Sequence, residues 1–297
     1  MSHILTLIAA PGALAPAHLH AARAALTALG ADCDAPDWLA QGEAADLPFA
    51  ALAGEQAIAA VRAALGEVPL DLIAQPAEGR RKKLLLADMD STIVTSETLD
   101  EIAAYAGLQD EIAGITARSM NGELDFKQAL TERVAMLTGL DASALEATWA
   151  TTELMPGAEV LVRTMRKHGA RTALVSGGFR FFTGRVAKRV GFHEHHANTL
   201  LVRGGKLTGK VGQPILDRDA KLATLKRLAA AHGLSLNEAA TIGDGANDLA
   251  MIQAAGLGVA FRAKPSVAAA SRHRIQHGDL RGLLYAQGYR AAEFVAI

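Results

Sequence analysis

The stretch "KKLLLADMDSTIVTSET" at residues 82–98 decides how this chain is read. An unbroken aliphatic run, Leu84 to Ala87, stops at Asp88 and Asp90, and hydroxyls follow at Ser91 and Thr92. A short continuous apolar run of this kind predicts a strand buried on both faces. Two carboxylates one residue apart at its end repel each other. Burying either costs several kcal/mol unless a cation sits with them. The pattern thus predicts a buried strand that delivers acidic groups to a cation.

Downstream, "RTALVS" (171–176), "AATIGD" (239–244) and "GLGVAF" (256–261) repeat the apolar-strand pattern. Helical segments such as "GAEVLVRTMRKHG", "FRFFTGRVAKRVG" and "KLATLKRLAAAHG" lie between them. Alternation of this type predicts an α/β fold, a parallel sheet covered on both faces. Ligands of such sheets bind beyond the carboxyl ends of the strands, where Asp88, Ser176 and Asp244 all fall. Two insertions interrupt the alternation. Residues 95–155 read as wholly helical and, coming straight after the first core strand, predict a cap over the site. Residues 197–211, "ANTLLVRGGKLTGKV", predict a hairpin turning at Gly204-Gly205.

Before this core, residues 1–75 predict a smaller βαββαβ, ferredoxin-like unit. "HILTLIAA" reads as its first strand, and an Ala/Leu-rich helix ends at Gly30. Strands are expected around 32–39 and 45–51, then a second helix and a last strand, "PLDLIAQP". Residues 76–83, "PAEGRRKK", read as an exposed linker, its basic run Arg80–Lys83 solvated. The phosphate-site core then occupies 84–297.

Composition bounds the function. A chain of 297 residues with formal charge −1 argues against a wholesale electrostatic grip on nucleic acid. Half the residues are hydrophobic, but no apolar run reaches membrane-spanning length, and no membrane association is expected. The start lacks the pattern of a secretory signal, and the single cysteine, Cys33, permits a cytoplasmic setting.

Four signals fit one site: "DMDST" with Asp88 and Asp90, "VSGGF" with Ser176 and the N–H groups of Gly177 and Gly178 opening a helix, "RDAKLATL" with Lys221, and "IGDGANDLAM" with Asp244, Asn247 and Asp248. In all four, and in their order, residues 84 to about 277 resemble the haloacid dehalogenase-like superfamily of phosphatases, which implies a Rossmann-like core. The resemblance implies Mg2+ held by Asp88, Asp244 and the main-chain carbonyl of Asp90, with Asp248 a direct or supporting partner. A hard, oxygen-preferring ion suits that set. It further implies Asp88 as a nucleophile that becomes phosphorylated, and Asp90 as general acid and base. Ser176 and the Gly177 N–H would bind phosphoryl oxygens, and Lys221 would neutralise charge on the nucleophile and the transferring group. An acid two residues after the nucleophile favours rapid phosphate-ester turnover.

Within the superfamily the resemblance is to the phosphoserine phosphatase family, and it extends through the cap. Glu97 stands where that family has its amine-binding glutamate. "SMNGELDFKQALTERV" supplies Met120, Phe126 and Arg133. The implied substrate is O-phospho-L-serine, with Arg133 on the α-carboxylate, Glu97 on the ammonium, Met120 and Phe126 closing over the site, and Asn247 among the binding residues. The resemblance thereby implies the last step of serine biosynthesis. Phosphohomoserine, phosphothreonine or another small phosphomonoester remain alternatives. Each cap residue also has a bland reading: Glu97 as a first-turn acid, Arg133 as a surface charge, Met120 and Phe126 as core. A calcium loop is excluded, since Ile93 and Leu99 stand where its Gly and Glu belong. "HEHH" (193–196) reads as a polar loop before the hairpin rather than a metal site. A receiver-like signalling module is disfavoured by Asp90 and the cap. The first 75 residues resemble ACT-type regulatory domains, but Ala10 replaces the usual acidic or amide residue before Pro11-Gly12. Amino-acid sensing, a homodimer contact and a purely structural role are all open.

Overall fold

The computed structural model describes Met1–Ile297, the side chain of Arg218 excepted. The N-terminal unit runs β1 (His3–Ile8), α1 (Pro16–Ala28), β2 (Asp32–Cys33), β3 (Asp37–Ala40), β4 (Ala44–Ala50), α2 (Gly54–Leu65) and β5 (Asp71–Pro76). Its sheet has the order β2-β4-β1-β5, with β3 also on β4, and every pairing is antiparallel. The strand expected over 32–39 is thus two short pieces. Between them lies Asp34-Ala35-Pro36, and Pro36 has no N–H for a ladder.

The core follows. Its first strand is β6 (Leu84–Ala87). The cap comes next as α3 (Thr98–Ala104), α4 (Gln109–Met120), α5 (Phe126–Met136) and α6 (Ser143–Thr151), then α7 (Ala158–Lys167), β7 (Arg171–Phe179) and α8 (Arg180–Val190). After these stand β8 (Glu194–Asn198), the hairpin β9 (Leu200–Arg203) and β10 (Lys206–Val211), and α9 (Arg218–Ala231). The chain closes with β11 (Ala239–Gly243), α10 (Leu249–Ala254), β12 (Leu257–Phe261), α11 (Pro265–Ala270), β13 (His273–Ile275) and α12 (Gly282–Ala286). The sheet order is β13-β12-β11-β6-β7-β8, with every neighbouring pair parallel. From β6 the chain first builds outward through β7 and β8, then returns to the other side with β11. The strand that ends in Asp88 therefore stands at the topological switch point, where such sheets open a crevice.

The four residues of β6 explain its burial. Leu85 and Ala87 pack into the large core on one face, while Leu84 and Leu86 join a second cluster with Leu225, Leu228 and Met251. Two apolar faces in strict alternation require a continuous aliphatic run. The cap leaves and rejoins the core on adjacent strands of chain: Val94 bridges Leu154, Thr95 N–H donates to the Glu153 carbonyl, and Met155 N–H to that of Ile93. The hairpin turns at Gly204-Gly205, both left-handed. It leans on the cap, since Gly139 N–H donates to Leu207 O, Leu207 N–H to Leu140 O and Ala142 N–H to Gly205 O.

Two expectations need correction. Residues 194–198 form an edge strand, β8, paired with β7, rather than a polar loop. Their alternation was hidden because an edge strand tolerates polar side chains on both faces. His195 Nδ1 lies 2.9 Å from Thr183 Oγ1, and His196 Nε2 lies 3.0 Å from Glu194. Nor is the basic run at 80–83 simply solvated. Arg80 is clamped bidentately by Asp46 at 2.6 and 2.9 Å, and Lys82 Nζ donates to the carbonyls of Gly79 and Asn237. The N-terminal sheet docks on the core at this seam. Ile8, Leu39, Ala44 and Ile73 enter the large core cluster, and the buried Asp71 carboxylate accepts from Gln276, His277 and Gly278 N–H.

His273, on edge strand β13, is buried and its Nδ1 has no partner among the described residues. Burial, with the Arg272 and Lys82 charges, pulls its pKa down to about 4 from 6.5. Between those values the unfolded chain binds a proton that the folded chain refuses. This share of stability is therefore whole above about pH 6.5 and is lost as pH falls toward 4, by up to about 3 kcal/mol. Comparing melting temperatures of wild type and His273→Gln at pH 7 and pH 5 isolates it. The wild type should lose more on acidification, and equal losses would show that His273 contributes nothing.

Candidate active site

Strand β6 ends and the chain turns sharply. The N–H groups of Thr92, Ile93 and Val94 all donate to Met89 O, and Ser91 takes a left-handed φ of 54°. A non-glycine residue there is uncommon. The turn holds Asp88 and Asp90 on the same rim while Asp88 N–H stays in the sheet, bonded to Ile242 O.

Asp88, Asp244 and Asp248 are buried, with one carboxylate oxygen of each within 4.8 Å of the others. Lys221, from α9, is fully buried among them, its Nζ 2.7 Å from Asp88 Oδ1 and 2.6 Å from Asp248 Oδ1. Asp248 Oδ2 accepts from Gly245 N–H, and Asp244 Oδ1 from Thr92 Oγ1. Burial, and then the charge of Asp248, push Asp88 well above the usual carboxylate range and Asp244 up to about 7. Burial works against the Lys221 ammonium, but Asp248 and Asp88 outweigh it and hold it above its ordinary value. One buried ammonium cannot neutralise three buried carboxylates, so without a further cation they resist ionising together. The all-oxygen donor set at this spacing fits a hard divalent cation.

Asp90 is turned away from that cluster. Its Oδ1 accepts from Thr98 N–H at 2.9 Å and Thr98 Oγ1 at 2.7 Å, and its Oδ2 from Ser176 Oγ at 3.0 Å. Ser176 Oγ in turn accepts from Gly178 N–H. Strand β7 carries on through the glycines, so α8 opens at Arg180, later than the sequence suggested. Gly177 needs to be glycine because Phe126 lies over it: a Cβ there would come within 2.4 Å of the ring.

The cap side of the same pocket carries Glu97, Met120, Phe126 and Arg133, and Asn247 joins them from the core. Glu97 accepts from Ser91 Oγ at 2.6 Å. Burial, then Asp90 and Asp244, push its pKa up to about 8. Arg133 is not a surface charge: it is 6% exposed, donates to Ala129 O and Thr116 Oγ1, and Thr116 donates to Asp100. Burial lowers its pKa against the pull of Asp100 and Glu97. The Asn247 side-chain oxygen is buried with no partner among the described residues. Met120 O accepts from Ala246 N–H, and Lys127 pairs with Asp217 at 2.8 Å, so the cap sits closed on the core. All twelve residues expected at the site thus gather at one end of the sheet. Thr98, Thr92, Ser91, Asp100 and Thr116 were missed. So was Asn198, which ties Gly177 O to the Leu216 backbone.

Residues 85–253 match the haloacid dehalogenase-like hydrolases, and the chain belongs to that family. Within it, the chain is 47% identical over 199 residues to a phosphoserine phosphatase of Streptococcus thermophilus, covering 67% of this chain and 93% of that one. It is 44% identical over 240 residues to a phosphoserine phosphatase of Streptomyces coelicolor, covering 81% of this chain. It spans only 58% of that longer relative's length. A solved structure described as a phospho-aspartyl intermediate analogue of phosphoserine phosphatase superposes with a TM-score of 0.67 at 38% identity, over 69% of this chain and 98% of the other. Among the described residues no helix is long and apolar enough to cross a membrane.

Proposed function

We propose that this protein is a phosphoserine phosphatase, hydrolysing O-phospho-L-serine to L-serine and phosphate, the closing step of serine biosynthesis. The observation that carries the reading is the pairing of a phosphoryl-transfer end (Asp88, Asp90, Ser176, Lys221) with a cap that buries one arginine and one glutamate over it. That set of charges matches a phosphate, a carboxylate and an ammonium on one small molecule. Arg133 takes the carboxylate, and Glu97 the ammonium, whose charge would return its raised pKa to the ionised side. The orphan oxygen of Asn247 gains a donor from the substrate or its water.

Asp88, Asp244 and the Asp90 carbonyl, supported by Asp248, would hold Mg2+, which supplies positive charge to the carboxylates and to the phosphoryl oxygens. Asp88 attacks phosphorus; its new O–P bond forms as the bond to the serine oxygen breaks, and Asp90 gives that oxygen a proton. In the second half Asp90 takes a proton from water, whose oxygen displaces Asp88 from phosphorus. Lys221 steadies the Asp88 carboxylate, and Ser176 and Gly177 N–H orient the phosphoryl group. Phe126 and Met120 exclude solvent. A free thiol at Cys33 suits the reducing cytoplasm. Residues 1–75 we read as an ACT-like unit whose role is homodimer assembly or amino-acid binding; serine inhibition abolished by changes within it would favour the latter.

Phosphate release across phosphoserine, phosphothreonine, phosphohomoserine and a plain alkyl phosphate, with and without Mg2+, tests the substrate. Phosphoserine should lead, and a preference for the plain ester would remove the cap argument. Arg133→Ala should cost about 1.5–3 kcal/mol of transition-state binding, a roughly 10- to 150-fold fall in kcat/KM for phosphoserine. An unchanged kcat/KM would place the carboxylate elsewhere.

A further inference from the structure

We infer that Thr98 is a positioning residue for the proton transfer, fixing which oxygen of Asp90 delivers the proton and tying that geometry to the cap. Thr98 is the first residue of the first cap helix and is 1% exposed. It spends both its backbone N–H and its hydroxyl on a single atom, Asp90 Oδ1. An oxygen that already accepts two donors is a poor carrier for a proton destined for a third party. Among the described residues Oδ2 meets only Ser176 Oγ, which is the residue beside the expected phosphoryl position. The proton that ends on the serine oxygen therefore travels on Oδ2, with the carboxyl plane locked by Thr98. Because Thr98 lies beyond the paired strands where the cap departs, swinging the cap away would withdraw both donors. The acid is thus held in line only under a closed cap. Nothing in the sequence marks this threonine among the other hydroxyls of "STIVTSET".

This inference rests on the reading of Asp90 as the acid, and the test separates the two. Acetyl phosphate releases acetate, which needs no proton, whereas phosphoserine releases serine, whose departing alkoxide does. Thr98→Val keeps the shape and the backbone donor but loses the hydroxyl. We expect kcat on phosphoserine to fall about tenfold with KM little changed, as for loss of one hydrogen bond to a charged group. The single-turnover rate at which acetyl phosphate phosphorylates Asp88, a step that precedes the attack of water, should change by less than about twofold while that of phosphoserine falls, and Thr98→Ser should recover phosphoserine activity. Equal loss on both substrates, no loss on either, or no recovery in Thr98→Ser would overturn the role. Should Thr98→Val fail to fold, Thr98→Ala is read by the same comparison. Asp90→Asn is the control: in a single turnover it must slow phosphorylation of Asp88 by phosphoserine far more than by acetyl phosphate. If it suppresses neither, the fault lies with Asp90 as the acid, whatever Thr98 does.

Discussion

Asp88→Asn should reduce kcat on phosphoserine by on the order of 10⁴-fold or more while leaving the fold intact. The asparagine amide has nearly the same shape but no negative oxygen to attack phosphorus, and loss of a covalent nucleophile is among the costliest changes an enzyme can suffer. The structural cost is small because Asp88 is one of three buried acids whose carboxylate oxygens lie within 4.8 Å of one another. Removing one relieves repulsion, and Lys221 keeps Asp248 as a partner at 2.6 Å. Without added Mg2+ the variant should therefore melt no lower than wild type. Acid-quenching the wild type during turnover of radiolabelled substrate should leave label on the peptide containing Asp88, and none on the variant. Near-normal turnover in Asp88→Asn, or label on a different peptide, would end the assignment.

The second large effect is removal of the divalent ion. Asp88, Asp244 and Asp248 place three carboxylates within 4.8 Å against the single buried ammonium of Lys221. EDTA should bring phosphate release to background, and excess Mg2+ should restore it. A readout independent of activity is stability: an ion that binds only the folded chain raises it by about 2.7 kcal/mol at a hundred times its Kd. The melting temperature of the wild type should rise with added Mg2+, and that rise should disappear in Asp244→Asn. Full activity after exhaustive chelation, or the same thermal shift in Asp244→Asn, would show that the cluster is not the metal site.

How far the sequence alone reveals this molecule depends on the kind of physics involved. Strand β6 is legible because burial on both faces demands an unbroken aliphatic run, and Asp88, Asp90 and Asp244 are legible because charges rarely end such runs without a purpose. The cap is legible as a block of helices. Strand β8 is not, since an edge strand carrying Glu194, His195 and His196 has no apolar pattern to read. Thr98 and Ser91 are invisible for another reason: a hydroxyl's role lies in which acceptor the fold brings to it, and one-dimensional spacing does not say. The same holds for Arg80, between β5 and β6, whose partner Asp46 is 34 residues earlier on β4. The start of α8 at Arg180 was misplaced because Gly-Gly reads as a helix entry when it is here the tail of a strand.

The docking of the first sheet onto the core has a consequence for anyone who shortens this chain. Asp71 supplies the acceptor for three successive main-chain donors at 276–278, and Gln75 for its part donates to Ala286 O. Cutting the chain at the seam would strand those donors and bare the greasy underside formed with Ile8 and Ile73. The excised catalytic half would be prone to clump in solution even with every reactive group still in place. Loss of turnover in such a fragment would accordingly say nothing about signalling between the two parts.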